Sequence, residues 1–144
     1  MKFFICIGAL ILSQTAGVAD TPLKVESPWV FAVPPGANDT AAFMTLVNMG
    51  SVPLRVTGGR TEAARRLAPM ITTKEEGRMG MKDVKYLEVP AGGRLILAPG
   101  GDHLMLYGLR KPLTAGEKIP LVLALEPGGT LTVEAVVAKR APKE

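Results

Sequence analysis

Cysteine and histidine are almost missing from this sequence: Cys6 and His103 are single occurrences in 144 residues. One cysteine excludes an internal disulfide framework and a thiolate zinc cluster. A type 1 copper electron-transfer centre needs a cysteine thiolate with two histidines and is excluded with them. Aromatic residues make up only 5% of the chain, too few to interleave with its scattered basic residues as a single-strand nucleic-acid binder requires. No glycine-rich loop opens a helix, which argues against nucleotide binding. With a lone histidine, nucleophilic catalysis lacks a base, and an enzyme is not expected.

Long apolar runs are scarce too. The longest, Phe3 to Leu12, follows Lys2 and leads into Ala16-Gly-Val-Ala19 before Asp20, the layout of a secretory signal peptide cleaved after Ala19. No later segment approaches the roughly 18 to 20 apolar residues of a membrane helix. Residues 1–19 are therefore expected to be a signal peptide and residues 20–144 a single exported domain. Cys6 lies inside the apolar run rather than after it, which argues against lipidation there. Loss of Lys2 lowers the formal net charge from +4 to +3, a surplus that favours solubility and a mild preference for acidic partner surfaces.

What is present is the punctuation of a β protein. Runs rich in Val, Leu, Ile and Thr are separated by Pro34-Pro-Gly36, Gly58-Gly59, Pro90-Ala-Gly-Gly93, Pro99-Gly-Gly101 and Pro127-Gly-Gly129, which are turn signals. Nine strands are expected: Leu23–Val33, Ala41–Asn48, Leu54–Thr57, Leu67–Thr73, Lys85–Val89, Arg94–Leu97, His103–Tyr107, Lys118–Leu125 and Thr130–Val137. Thr61 to Arg66 has helical composition, enough for about one turn. The pattern fits an all-β, single-domain Greek-key sandwich or barrel.

Thr130 to Val137 alternates as a half-buried strand does, with Leu131, Val133, Ala135 and Val137 on one face. In His103-Leu-Met-Leu-Tyr107 the leucines take the apolar face, which leaves His103, Met105 and Tyr107 together on the other. A methionine beside a histidine on the less apolar face is odd for packing. Residues at i and i+2 of a strand lie roughly 6.5 to 7 Å apart, from which two side chains can reach one small ion. Thioether and imidazole are neutral donors that suit Cu(I) and suit hard oxygen-seeking ions poorly.

Met70 and Met81 extend the set. Ten residues separate Met70 from Met81, twenty-one separate Met81 from His103, and one separates His103 from Met105. This spacing resembles the H(M)x10Mx21HxM signature of the PCuAC-type periplasmic copper chaperones. Pro34-Pro-Gly-Ala37, Val89-Pro-Ala-Gly-Gly93, Leu97-Ala-Pro-Gly-Gly101 and Asp102-His-Leu-Met-Leu-Tyr-Gly-Leu109 resemble the same family. The resemblance implies a cupredoxin-like β-sandwich that holds one Cu(I) per chain through Met70, Met81, His103 and Met105. It also implies delivery in the periplasm toward the CuA centre of the copper-bearing subunit of cytochrome c oxidase, with or beside a Sco-type thiol protein. Methionine at the first ligand place, where histidine is usual, should further disfavour Cu(II). The carboxy-terminal Ala138-Lys-Arg-Ala-Pro-Lys-Glu144 carries no His- and Met-rich tail, so a single copper site is expected. Phe31 stands where many relatives have arginine.

Each of these residues has a plainer reading. Met44 and Met49 are read as core fillers, and Met70 between Pro69 and Ile71 suits a loop-to-strand edge where it would merely pack. Met79 shares a strand face with Met81 and competes with it as a ligand. At the level of function, passive copper buffering and a metal-free protein-interaction module are the alternatives to delivery.

Overall fold

A computed structural model describes residues 21–140 of the chain. Ten strands follow one another: β1 (Leu23–Phe31), β2 (Asp39–Asn48), β3 (Leu54–Thr61), β4 (Ala64–Glu75), β5 (Arg78–Asp83), β6 (Leu87–Val89), β7 (Arg94–Leu97), β8 (His103–Leu109), β9 (Lys118–Glu126) and β10 (Gly129–Ala138). Neighbouring strands run β5-β4-β8-β2-β1-β10-β9-β3-β6, and a further pairing of β3 with β4 closes the path into a seven-stranded barrel. β5, β6 and β7 lie off that closed path, β7 against β2, with Leu87 and Val89 of β6 and Leu97 of β7 still contributing to the core. The all-β expectation holds, and no helix occurs among the described residues.

Alternation builds the barrel. In β9, Ile119, Leu121, Leu123 and Leu125 point inward and are buried, and in β10 Val133, Ala135 and Val137 do the same. Leu104 and Leu106 of β8 meet them with no exposed surface, together with Leu46 and Val30. Burying one such leucine contributes about 1.5–3 kcal/mol, so these layers carry the fold. Asn48, 1% exposed, is the most deeply buried polar side chain among the described residues. Its side-chain amide donates to the carbonyls of Val52 (2.8 Å) and Val89 (3.1 Å) and accepts from the Gly50 amide (2.9 Å), tying the β2–β3 loop to β6.

The structure departs from the sequence expectation in three places. Thr61 to Arg66 is no helical turn but a tight hairpin, with Thr61 paired to Ala64. Gly58-Gly59 is no turn either. It lies within β3 at a bulge, where Gly59 pairs with Leu67 on one side and Leu123 on the other. Gly59 has φ +155° and an added Cβ would run into the Val122 carbonyl oxygen, so closure of the barrel requires glycine there. The third departure is β5, which was not expected. Among the described residues it pairs only with the outer half of β4, from Met70↔Asp83 to Glu75↔Arg78. The turn at its tip is made by Glu76 (φ +49°) and Gly77 (φ +77°), the left-handed pair a two-residue hairpin loop demands.

Candidate metal centre

Because Leu104 and Leu106 face the core, β8 turns His103, Met105 and Tyr107 to the outer face of the barrel. Directly opposed residues of paired strands share a face, and the register therefore collects the site. Across one edge of β8, His103 is paired with Met70, Met105 with Ala68 and Tyr107 with Arg66. Across the other edge, Met105 faces Ala41 and Tyr107 faces Asp39. On β5, Met81 is opposite Thr72 and Met79 opposite Lys74, which sets both methionines on the same side as Met70.

Met81, His103 and Met105 line one cavity of about 350 Å³, walled by Phe31, Val33, Phe43, Pro99 and Gly100. Among the described residues no charged side chain lines it. Trp29, Phe31 and Phe43 form an aromatic cluster with ring centroids 4.8–5.6 Å apart, and Phe43 lies 6.1 Å from the His103 ring. Phe31 is thus an apolar wall of the cavity, whereas Trp29 packs behind it.

His103 is only 3% exposed. Its Nδ1 is 3.0 Å from the Gly101 carbonyl oxygen, which can only accept, so the bond assigns the proton of a neutral ring to Nδ1. The lone pair is then on Nε2, a buried atom without a hydrogen-bond partner. Leaving such an atom unsatisfied costs about 1–3 kcal/mol, and a soft cation beside it would remove the cost.

Met70 sits differently. It lies inside β4 rather than at a loop edge, is 7% exposed, and does not line the cavity although it is the register partner of His103. Its sulfur is 3.2 Å from the Tyr107 hydroxyl, which also lies 3.0 Å from Asp83 Oδ1. One phenolic proton serves two acceptors there. Arg66 completes the group, 3.6 Å from Asp83 and stacked 5.0 Å from the Tyr107 ring centre. The Tyr107 phenol is pushed up from its ordinary value by burial first and by the hydrogen bond and charge of Asp83 next, with Arg66 working against them.

Met79 and Met81 are 65% and 64% exposed, and of the two only Met81 reaches the cavity. Among the described residues no three His, Cys, Asp or Glu side chains gather as a metal cluster. A cation here would have to be held by sulfur and imidazole. The sequence reading missed Gly101, whose carbonyl oxygen is bonded to His103 Nδ1, and Thr72, whose hydroxyl donates to the same oxygen. Thr72 could have been found as the i+2 neighbour of Met70, while Gly101 carried no side-chain signal. The expected signal peptide, Cys6 included, lies outside the described residues, and no helix among those described is long and apolar enough to cross a membrane.

Residues 23–137 match the family described as "Putative lipoprotein LpqE-like". A lipoprotein-named relative from Leifsonia xyli subsp. xyli (strain CTCB07) is 39% identical over 122 residues, covering 84% of this chain and 72% of its own. The Cu(I) form of DR1885 from Deinococcus radiodurans is 42% identical with a TM-score of 0.68, covering 84% of this chain and 82% of that one. The copper-bound PCuAC domain of PmoF2 is 26% identical with a TM-score of 0.70, covering 84% of this chain and 94% of that domain. Its fold and this one share the cupredoxin-like barrel. With most of its length matched in sequence and in structure, the chain belongs to the LpqE-like family and is of the PCuAC type.

Proposed function

We propose that this chain is an exported copper chaperone that carries one Cu(I) on Met81, His103 and Met105, with Met70 as the fourth ligand. The observation that supports it most is the buried, partnerless Nε2 of His103 beside an uncharged cavity flanked by two thioethers. Copper-bound relatives of the same type support the same cargo. Neutral soft donors leave the single charge of Cu(I) intact and give a divalent ion no anionic compensation. Met70 joins the set when its sulfur leaves the Tyr107 hydroxyl, a side-chain rotation on the strand residue already opposite His103.

Delivery proceeds by ligand exchange. Met81 stands at the surface, so an incoming cysteine or histidine of an acceptor replaces it first, and no thiolate among the described residues opposes release. The acceptor is the copper-bearing subunit of cytochrome c oxidase at its CuA site, reached directly or through a Sco-type thiol protein, in the periplasm. Anaerobic Cu(I) titration against a competing chromophoric chelator tests the cargo, with Met81→Ala and His103→Ala beside the parent. One Cu(I) per chain, weakened on the order of tenfold or more in each variant, is the expected result. No competitive binding by the parent would sink the proposal. Copper binding without any transfer to an oxidase fragment would reduce it to buffering.

A further inference from the structure

Resting on the copper-site reading above, we infer that Thr72 is a positioning residue, joining the β4–β5 hairpin to the His103 ring through one oxygen atom, the carbonyl of Gly101. The Thr72 hydroxyl donates to that oxygen at 2.7 Å across 29 residues of sequence. His103 Nδ1 lies 3.0 Å from the same atom. A carbonyl has two lone pairs and accepts both bonds.

Each bond fixes a different half of the site. The imidazole bond sets the tautomer and turn of the ring, which decides that Nε2 is the free donor. The hydroxyl bond sets the hairpin, because Thr72 is the cross-strand partner of Met81. The base of the hairpin is tied by the Tyr107–Asp83 bond and by the Val84 amide to the Pro69 carbonyl (3.2 Å). Thr72–Gly101 is the tie level with the ligand itself. It also holds the Pro99-Gly100-Gly101 connection, which walls the cavity and has no side chain at Gly101 with which to anchor itself. A displaced Gly101 carbonyl would release both the hairpin and the ring. The neutral imidazole would then drift toward the Nε2–H form, in which the ligating lone pair is covered by a proton.

The chain holds one histidine, so its imidazole signals need no assignment among several rings. Nitrogen-15 NMR of the metal-free protein at mildly alkaline pH reads the His103 tautomer directly. The parent and Thr72→Ser, which keeps the hydroxyl, are expected to show the Nδ1–H form. Thr72→Val, close in shape but without a donor, should show a mixture of tautomers. In the chelator titration, Thr72→Ser should lie within about threefold of the parent and Thr72→Val should be weaker by about ten- to one-hundredfold. If Thr72→Val does not give the parent's near-ultraviolet dichroism, the smaller Thr72→Ala carries the same test. A valine or alanine variant with the parent's tautomer overturns the coupling, whatever its affinity, and so does full affinity with a changed tautomer. A parent that binds no Cu(I) defeats the proposed function alone, because the tautomer measurement needs no metal.

Discussion

Leu104 and Met81 are both apolar, and both stand close to His103 along the chain or across the cavity, yet Leu104 is 0% exposed and Met81 is 64%. Leu104 belongs to the closed barrel, whose strands each find a partner on both edges. Met81 belongs to β5, whose six residues are all exposed and whose outer edge has no strand partner among the described residues. Burial contributes to folding only where water is removed, so the apolar residues of β5 have little folding role. An edge strand is also a hazard for pairing with other chains, which its short length, Arg78 and Lys82 counteract. The difference teaches where chemistry is affordable: the barrel holds His103 and Met105 in place, and the projecting hairpin brings Met81 to them from outside.

The strongest way to break this comparison is to open the barrel at its seam. Gly59→Ala places a methyl group against the Val122 carbonyl oxygen, at the residue where β9, β3 and β4 meet. A loss of about 4 kcal/mol or more is expected in urea unfolding, and Cu(I) binding should vanish with the fold, since β4 and β8 supply the rest of the site. Met81→Ala, by contrast, should change stability by no more than about 0.5 kcal/mol while weakening copper. A Gly59→Ala protein of parental stability would show that the seam tolerates a side chain and that the barrel is not closed as described.

How much of this contrast is legible beforehand differs between the two regions. The period-2 patterns of Lys118–Leu125 and Thr130–Val137 announce buried strands, and His103 and Met105 fall on one face by spacing alone. β5 does not announce itself, because Arg78-Met-Gly-Met-Lys-Asp83 contains no β-branched residue. It becomes a strand through its register with β4 and the Glu76-Gly77 turn, a tertiary cause outweighing weak propensity. Gly58-Gly59 misleads in the opposite sense: it has the composition of a turn but serves as a bulge. The burial of His103 was equally hidden, because Phe43, Gly100 and Met81 come to it from three separate segments. The four spaced ligand candidates were legible; the Tyr107 hydroxyl on the Met70 sulfur was not, since it depends on side-chain placement across strands.

A smaller effect sharpens the comparison within the hairpin. Met49, Met79 and Met81 are 70%, 65% and 64% exposed, whereas Met44 and Met70 are 2% and 7%. Dilute hydrogen peroxide followed by peptide mass analysis should therefore oxidise the first three at similar rates and spare the last two, thioether oxidation following exposure. Silver(I), a soft monovalent ion that peroxide does not turn over, stands in for Cu(I). It should slow oxidation of Met81 several-fold and leave Met79 and Met49 unchanged. Protection of Met79 with Met81 left reactive would reassign the ligand to the residue nearer the tip.

The smallest expected effect lies in the β8–β9 connection, which pairs with the cavity residue Val33 at Leu113 but sets none of its charged groups in the cavity. The Glu117 carboxylate accepts the Thr114 amide at 3.0 Å and the Lys111 ammonium at 3.4 Å. The Thr114 bond, and after it Lys111, hold the carboxyl below its ordinary value of 4.5. A carboxyl that is more acidic folded than unfolded binds fewer protons in the folded state, so its contribution is complete above pH 4.5 and is lost as pH falls through the lower folded value. Glu117→Gln should therefore melt slightly below the parent at neutral pH and converge with it as pH falls through the lower folded value. A melting difference that stays constant across this range would mean that the carboxylate charge contributes nothing. Because neither Glu117 nor its two partners lines the cavity, the same variant should bind Cu(I) as the parent does at every pH tested. A shift in copper affinity would show that strain in this connection reaches the cavity, through the Val33–Leu113 pairing or along β8 to His103, and the framework and the site could no longer be treated as separable.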